Sequence, residues 1–495
     1  MEHKKNDLCE VTITDVGMNG EGIGKYDGYT LFVKDAVVGD RVIAQLTKVK
    51  KNYAYARVKE IIEASAERCE PKCEVHRACG GCQIPALSYS AQLSYKEKKV
   101  KNDLVRIGEF NESLVDSVFE GIIGMEEPYR YRNKSQYPIG CDRNGNIVAG
   151  FYAGRTHSII PCRDCVISPE VNAHIIDIII NAMNESGVSA YDEETCTGLV
   201  RHVLIRHGFA TGQIMVCIVV NADVDVLATD VKEDKTVKGT DASAGSSSKK
   251  SRSDRIGLAE MINMICERLP LVEGVVSIVI NENRENTNVI LGNKCVTVYG
   301  EDKIVDTLMG IDFRISPLAF YQVNPLQTEK LYGTAIEFAG LTGVEEVWDI
   351  CCGIGTISLC MAGTAKMVHG VEIVPQAIED AKENAKANGI ENAEFICAPA
   401  EEYLPEHVGD KEFAIHADVI VMDPPRKGMD VKSLDAVITV APSRIVYVSC
   451  DPATLARDLN YLCANGYEIT KVRCVDMFPH TVHVETVVLM SRDKE

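Results

Sequence analysis

The chain has 495 residues, with 52 Lys+Arg against 72 Asp+Glu and a formal net charge of −20. Its 46% hydrophobic and 25% charged residues are ordinary for a globular protein with a real core, and the length suggests about three domains. No run of about 18 apolar residues occurs, which excludes a transmembrane helix, and the start Met1-Glu2-His3-Lys4-Lys5-Asn6-Asp7 has no apolar leader.

The default location is therefore the cytoplasm, where the 19 cysteines stay reduced and are not a disulfide framework. The acidic balance argues against a polyanionic partner, but its distribution argues the other way. Residues 41–62 carry six basic residues against one acidic, residues 96–106 five against two, and residues 129–134 add Arg130, Arg132 and Lys134 with no acid. A local basic surface on an acidic body is what a nucleic acid requires.

Residues 9–62 read as a small all-β unit. Val11-Thr12-Ile13-Thr14, Tyr29-Thr30-Leu31-Phe32-Val33, Arg41-Val42-Ile43-Ala44-Gln45-Leu46 and Tyr53-Ala54-Tyr55-Ala56-Arg57-Val58 are strand-like. Gly17, Gly20, Gly22, Gly24, Gly28 and Gly39 supply turns. Short strands with glycine turns predict a five-stranded barrel of OB-like type.

A cysteine motif follows: Cys73, Cys79 and Cys82, with Gly80-Gly81 inside it. Three soft thiolates within ten residues suit a metal, and a fourth ligand is available in Cys162 or Cys165. The unequal spacing with one remote cysteine favours a [4Fe–4S] cluster over zinc, which prefers paired knuckles. Ser88 to Arg106 reads as a basic helical stretch, and 129–225 is again strand-rich. Residues 229–255, rich in Lys, Asp, Ser, Thr and Gly, read as a flexible surface insertion.

From about Leu341 strands and helices alternate, which predicts a doubly wound α/β sheet. Asp349-Ile350-Cys351-Cys352-Gly353-Ile354-Gly355 follows a strand and opens a helix. Its glycines allow close backbone approach to a ligand, and Glu372, closing the next strand, can accept hydrogen bonds from ribose hydroxyls. The third glycine of dinucleotide fingerprints is missing, which favours S-adenosylmethionine over NAD. Asp423-Pro424-Pro425-Arg426-Lys427-Gly428 ends a further strand at the same sheet edge. Cys450, in Ser449-Cys450-Asp451-Pro452, faces the same crevice as a nucleophile or a structural thiol. The run Phe478-Pro479-His480-Thr481-Val482-His483-Val484-Glu485 offers three general bases, and strand alternation puts His483 and Glu485 on one face.

Together these residues resemble the TRAM-containing RNA (uracil-5-)-methyltransferases, of the bacterial 23S rRNA type, over nearly the whole chain apart from 229–255. The resemblance implies an α/β fold: a Rossmann-like S-adenosylmethionine methyltransferase domain (309–495), an N-terminal OB-like TRAM barrel (1–63), and a small iron–sulfur, β-rich central domain (64–308). Within the last, the helical stretch 88–125 is expected to pack with the catalytic domain. It implies Cys450 as nucleophile and Glu485 as proton acceptor. Gln322 in Phe320-Tyr321-Gln322-Val323-Asn324, Cys351, Gly353, Gly355, Glu372 and Asp423 become cofactor contacts. Cys73, Cys79, Cys82 and Cys165 become ligands of a [4Fe–4S] cluster, with Cys162 second to Cys165. Where this chain has Cys351-Cys352, the family usually has Tyr or Phe at the first position. The implied partner is structured RNA, 23S rRNA first and the T-loop of tRNA second, with no membrane and a monomer as default. A non-catalytic iron–sulfur RNA-binding protein is the reading from another class.

Overall fold

The computed structural model describes residues 3–154, 156–225, 249–407 and 416–492. Near the N-terminus, alternating apolar residues close a barrel. Strands β1 (Leu8–Val16), β2 (Gly22–Tyr26), β3 (Tyr29–Lys34), β4 (Arg41–Val49) and β5 (Tyr53–Glu63) join in the order β1-β2-β3-β5-β4. Val11, Ile13, Leu31, Val33, Val42, Ala44, Leu46, Ala54 and Ala56 alternate inward and fill it. A two-residue Asp27-Gly28 turn links β2 to β3, with φ +49° and +81° at its two positions. Positive φ at both suits the right-handed twist of a hairpin, and Asp-Gly tolerates it. Helix α1 (Tyr89–Arg106) then starts at Ser88, whose side chain accepts from Ala91 N. It is followed by α2 (Glu112–Val118) and β6 (Phe119–Ile123).

The chain divides into two compact units. One holds Met1–Arg77, Gly81–Pro128 and Leu326–Glu495; the other holds Ala78–Gly80 and Tyr129–Pro325. In the second unit β7 (Lys134–Cys141), β8 (Ile147–Tyr152), β9 (Ile159–Pro161), β10 (Val200–His207), β11 (Ile214–Val220), β12 (Val275–Glu282) and β13 (Lys294–Gly300) form one sheet, ordered β13-β12-β11-β10-β7-β8-β9. Helices α3 (Val171–Ser186) and α4 (Lys249–Arg268) cover one face with Ile175, Ile176, Ile179, Leu258, Met261, Ile262 and Ile265. The hairpin β14 (Ile304–Leu308) and β15 (Ile311–Ile315) stands beside it in sequence. Of the expected insertion 229–255, residues 229–248 lie outside the described residues. Residues 249–255 correct the expectation, because they are the first turns of α4. Leu258, Met261, Ile262 and Ile265 recur at helical spacing and are buried, and the helix they anchor propagates back into the polar segment.

The first unit continues through α5 (Pro325–Ala339), β16 (Glu346–Ile350), α6 (Thr356–Ala362), β17 (Met367–Glu372), α7 (Pro375–Ala387), β18 (Ala393–Cys397), α8 (Ala400–His407), β19 (Val419–Met422), α9 (Val431–Val440), β20 (Arg444–Ser449), α10 (Pro452–Ala464), β21 (Glu468–Val475) and β22 (Glu485–Ser491). The eight-stranded sheet runs β18-β17-β16-β19-β20-β22-β21-β6. Strands β16 to β20 are parallel, and the central β19 and β20 are near-continuously apolar, as strands buried on both faces must be. β22 enters antiparallel between β20 and β21, and β6 adds a parallel edge. The order reverses between β16 and β19, so a crevice opens at the carboxyl ends of those two strands. Among the described residues no helix is long and apolar enough to cross a membrane.

Candidate active site

The crevice collects the acids that end the strands. The register pairs Ile350 with both Val371 and Met422, and Met422 with Tyr447. Asp349, Cys351, Glu372 and Asp423 therefore sit at one sheet edge. Ser449 of β20 pairs with Thr486 of β22. In this antiparallel pair Cys450 follows Ser449 and Glu485 precedes Thr486, so both share that edge.

The glycine turn has the backbone that its residues require. Cys351, Gly353 and Gly355 have φ of +74°, +56° and +79°. A Cβ on Gly355 would stand 2.9 Å from the Phe395 ring, whereas nothing lies within 4 Å of a Cβ on Gly353. Gly355 is required by packing and Gly353 leaves room for a ligand. Glu372 holds the turn from the next strand, accepting from Gly353 N at 3.2 Å and Val374 N at 3.0 Å. Asp349, which opens this motif, is a further residue of the crevice. Its Oδ2 accepts from Ser358 Oγ at 2.5 Å, while its Oδ1 is buried without a hydrogen-bond partner. A buried acceptor of this kind invites a donor from outside the protein.

Electrostatics link the acids. Burial raises Asp349 to about 6, with the Glu372 charge adding to it. Burial and Asp349 raise Asp423 to about 7. Burial and Asp423 raise Glu485 to about 8, with Arg426 opposing. The Cys450 thiol is half-buried and pushed up to about 12 by burial, Glu485 and Asp423, again opposed by Arg426. A crevice crowded with reluctant carboxylates favours a cationic ligand. The unpartnered Asp349 Oδ1, the open cradle at Gly353 and this negative field fit the amino and sulfonium charges of S-adenosylmethionine.

Cys450 is fixed by its neighbours. Ser449 Oγ donates to Asp451 O at 3.1 Å. Asp451 caps α10, accepting from Ala453 N at 3.0 Å and Thr454 N at 3.2 Å. The proline loop after Asp423 is tied to the same helix. Asp458 accepts from Met429 N at 2.9 Å and from Tyr447 OH at 2.6 Å.

The segment leading into Glu485 is held by α1. Asp476 accepts from Lys96 Nζ at 2.5 Å and from Tyr89 OH at 2.9 Å. Lys96 Nζ also donates to Phe478 O at 3.0 Å, and Lys99 Nζ to Val482 O at 3.0 Å. Gln92 Oε1 accepts from His480 N at 2.8 Å, and His480 O accepts from Gln83 N and Ile84 N, both at 3.1 Å. The His480 ring lies between Gln92 Nε2 at 3.2 Å and Pro128 O at 2.9 Å. With both ring nitrogens engaged, His480 is a structural residue with φ of +68°. His483 is lowered to about 4 by burial and by Arg426, Lys99 and Lys96. It also lies outside β22, which begins at Glu485, so the expected shared strand face of His483 and Glu485 is corrected. The loop geometry at Phe478–Val484, imposed by α1, overrides the alternation.

This network changes the reading of residues 96–106. Lys98 pairs with Asp15 at 2.9 Å and Lys101 with Asp116 at 2.7 Å. Lys96 and Lys99 thus serve the fold, through partners far away in sequence, while Lys98 and Lys101 pair with carboxylates at the surface.

Gln322 belongs to the other unit; it is 8% exposed, and its backbone oxygen accepts from Asn133 Nδ2 at 2.9 Å. Cys73, Cys79, Cys82 and Cys165 are half-buried, whereas Cys162 is buried with its Sγ 3.6 Å from Asp164 O. Among the described residues no group of three or more His, Cys, Asp or Glu is arranged to hold a metal ion. The expected [4Fe–4S] site thus finds no support in the geometry, and no step below runs through it.

The TRAM domain family matches residues 4–59, and the tRNA (uracil-5-)-methyltransferase family matches residues 287–493. An uncharacterized RNA methyltransferase of Clostridium tetani is 45% identical over 488 residues, covering 99% of this chain and 97% of its own. Another, of Halalkalibacterium halodurans, is 45% identical over 486 residues, covering 98% and 97%. The crystal structure of Pyrococcus abyssi tRNA (uracil-54, C5)-methyltransferase in complex with S-adenosyl-L-homocysteine superposes with a TM-score of 0.70. That match is 24% identical, spans 97% of this chain and 99% of the other, and shows a shared fold. The chain belongs to the TRAM-containing RNA (uracil-5-)-methyltransferase family.

Proposed function

We propose that the protein methylates C5 of a uridine in 23S rRNA, with S-adenosylmethionine as methyl donor. The observation that carries this reading is the placement of Cys450 and Glu485 at the ends of paired strands β20 and β22, beside Asp423. Uracil C5 is a weak nucleophile toward a sulfonium methyl. The Cys450 thiol gives its proton to solvent water, and the thiolate electron pair bonds to C6 while the C5–C6 π pair moves toward the C4 carbonyl oxygen, leaving an enolate whose C5 is nucleophilic. S-adenosylmethionine, when bound, supplies the methyl group that C5 takes. Glu485 then accepts the C5 proton; the released electron pair restores the C5–C6 double bond and breaks the C6–S bond. A proton acceptor raised to about 8 is matched to work near neutrality. Asp349, Glu372, Gly353 and Gly355 hold the cofactor, and Gln322 and Cys351 belong to the same reading. Structured RNA must extrude the uridine for this chemistry.

The test is RNA carrying 5-fluorouridine, whose C5 fluorine cannot leave as a proton does. Wild type is expected to form an adduct stable to denaturation, and Cys450→Ala to form none and to lose turnover. Methylation by Cys450→Ala would overturn the mechanism, and absence of a wild-type adduct would favour a binding protein without catalysis. Nucleoside mass spectrometry of 23S rRNA and tRNA from a deletion strain decides the substrate; loss of 5-methyluridine from tRNA alone would replace rRNA with the T-loop.

The [4Fe–4S] cluster enters this reading through the cysteine spacing alone, at Cys73, Cys79, Cys82 and Cys165. Anaerobically purified protein is expected to contain iron and acid-labile sulfide, and Cys82→Ser to lose both. Protein purified under those conditions without iron would remove the cluster from the reading.

A further inference from the structure

Helix α10 starts just after Cys450, and three of its side chains grip one loop. That loop, residues 424–429, follows Asp423 at the end of β19. Thr454 Oγ1 donates to Arg426 O at 3.2 Å. Arg457 Nη2 donates to Lys427 O at 3.1 Å and to Met429 O at 3.0 Å. Asp458 Oδ2 accepts from Met429 N at 2.9 Å. The loop passes the helix at Gly428, where φ is +73° and an added Cβ would stand 2.6 Å from Asp458 Oδ2 and 2.7 Å from Arg457 Nη2.

Arg457 and Asp458 are also joined to each other, Nη2 to Oδ1 at 2.6 Å and Nε to Oδ1 at 2.8 Å. Adjacent residues on a helix do not face each other, so the helix itself does not call for this contact. The pair turns its other polar atoms to the loop and to Tyr447 OH, which donates to Asp458 Oδ2 at 2.6 Å. Tyr447 lies on β20, which ends at Ser449, directly before Cys450. The loop and the nucleophile therefore share one support.

What the loop carries is Arg426. The charges acting on Cys450 are Glu485 from β22, Asp423 and Arg426 from the end of β19 and the loop, and Asp451 from the cap of α10. Of these, Arg426 alone favours the thiolate. The same guanidinium acts on Glu485 and His483. A charge acts inversely with its distance, so the seat of the loop on α10 sets how strongly Arg426 is felt at the nucleophile.

We infer that Arg457 and Asp458 are positioning residues, which hold loop 424–429 on α10 and thereby keep the Arg426 guanidinium beside Cys450 for its attack on the uracil ring. The inference rests on the reading of Cys450 as nucleophile.

Iodoacetate and iodoacetamide both alkylate a thiolate but differ in charge. Their rate ratio at Cys450, followed by mass spectrometry of the peptide that contains it, reports the local charge and not the thiolate fraction. Arg426→Gln is expected to lower the ratio about fivefold, the worth of one unit charge about 4 Å away in water. Arg457→Gln is expected to lower it nearly as far. Arg457→Lys, which keeps a cation for Asp458 and for one carbonyl, should fall between. Gly428→Ala pushes the loop off the helix with both side chains present, and should lower the ratio too. With RNA, turnover of Arg457→Gln is expected to fall on the order of tenfold while KM stays within about twofold, since misplacement costs rate before binding. A wild-type ratio in both Arg457→Gln and Gly428→Ala overturns the inference, as does a wild-type ratio in Arg426→Gln. A lowered ratio with wild-type turnover also overturns it, because the loop would then move without consequence for the reaction. If Arg457→Gln does not fold, Gly428→Ala decides by the same two measurements. Lowered ratios with no 5-fluorouridine adduct in wild type would keep the placement of Arg426 and sink the catalytic reading.

Discussion

Glu485 is buried beside Asp423, and its carboxyl keeps a proton to about pH 8 instead of its ordinary 4.5. Across that interval the folded state binds a proton that the unfolded state has released, so stability falls as pH rises from 4.5 toward 8. Glu485→Gln removes this penalty. The variant is expected to match wild type near pH 4.5 and to melt higher at pH 8 and above. At about 1.4 kcal/mol per pK unit the gain is on the order of 5 kcal/mol at most. Thermal scans across that range check it, and a variant less stable than wild type at pH 8 would contradict the buried acid. The same substitution is expected to abolish turnover, which separates the function of the residue from its cost to the fold. Cys450 and Glu485 were both candidates in the sequence, at a strand end and in a run of possible bases, and the family resemblance singled them out. The choice of Glu485 over His480 and His483 was not readable from composition or spacing. The fold supports the proposed choice, since Gln92 and Pro128 engage the His480 ring, and burial with the Arg426 charge holds His483 low.

At the scale of elements, α1 is the part whose role the sequence disguised. Its basic run looked like a phosphate-binding face, yet Gln92, Lys96 and Lys99 reach the segment Asp476–Val482, far away in sequence. Gln92 holds both the backbone and the ring of His480, whose left-handed φ aims the chain into β22. Gln92→Ala is expected to leave Cys450 able to attack but to misplace Glu485. Proton removal then lags methyl transfer, and a methylated covalent RNA adduct accumulates. A displacement of about 1 Å can cost on the order of 100-fold in rate, so turnover should fall well before KM changes. Quench-flow with denaturing gels measures the adduct; equal losses in adduct formation and turnover would make Gln92 merely structural. Gln92→Glu keeps the acceptor for His480 N and should recover part of the rate. By contrast, the barrel strands and the strands before each motif were readable, because alternation and apolar runs are local signals.

For the whole molecule, the net charge of −20 was the first fact available and the least informative about partners. Clusters of basic residues in the sequence divide, once folded, into cations engaged inside the fold and cations without a counter-charge. Lys96 and Arg68 are of the first kind, against Asp476 and Asp40. Among the described residues Arg206, with two nitrogens lacking a hydrogen-bond partner, and Lys134, facing Arg206 and Arg132, are of the second. The sequence by itself determined the barrel, the doubly wound sheet, the glycine turn and the family, because these depend on period, turn chemistry and short motifs. Only the tertiary structure decided that Asp349 keeps a buried oxygen without a hydrogen-bond partner, that α1 holds the Glu485 segment, and that Lys134 and Arg206 stand opposite each other across β7 and β10. Each of those depends on desolvation and on contacts between residues separated by many positions in the chain, and neither quantity is written in local order.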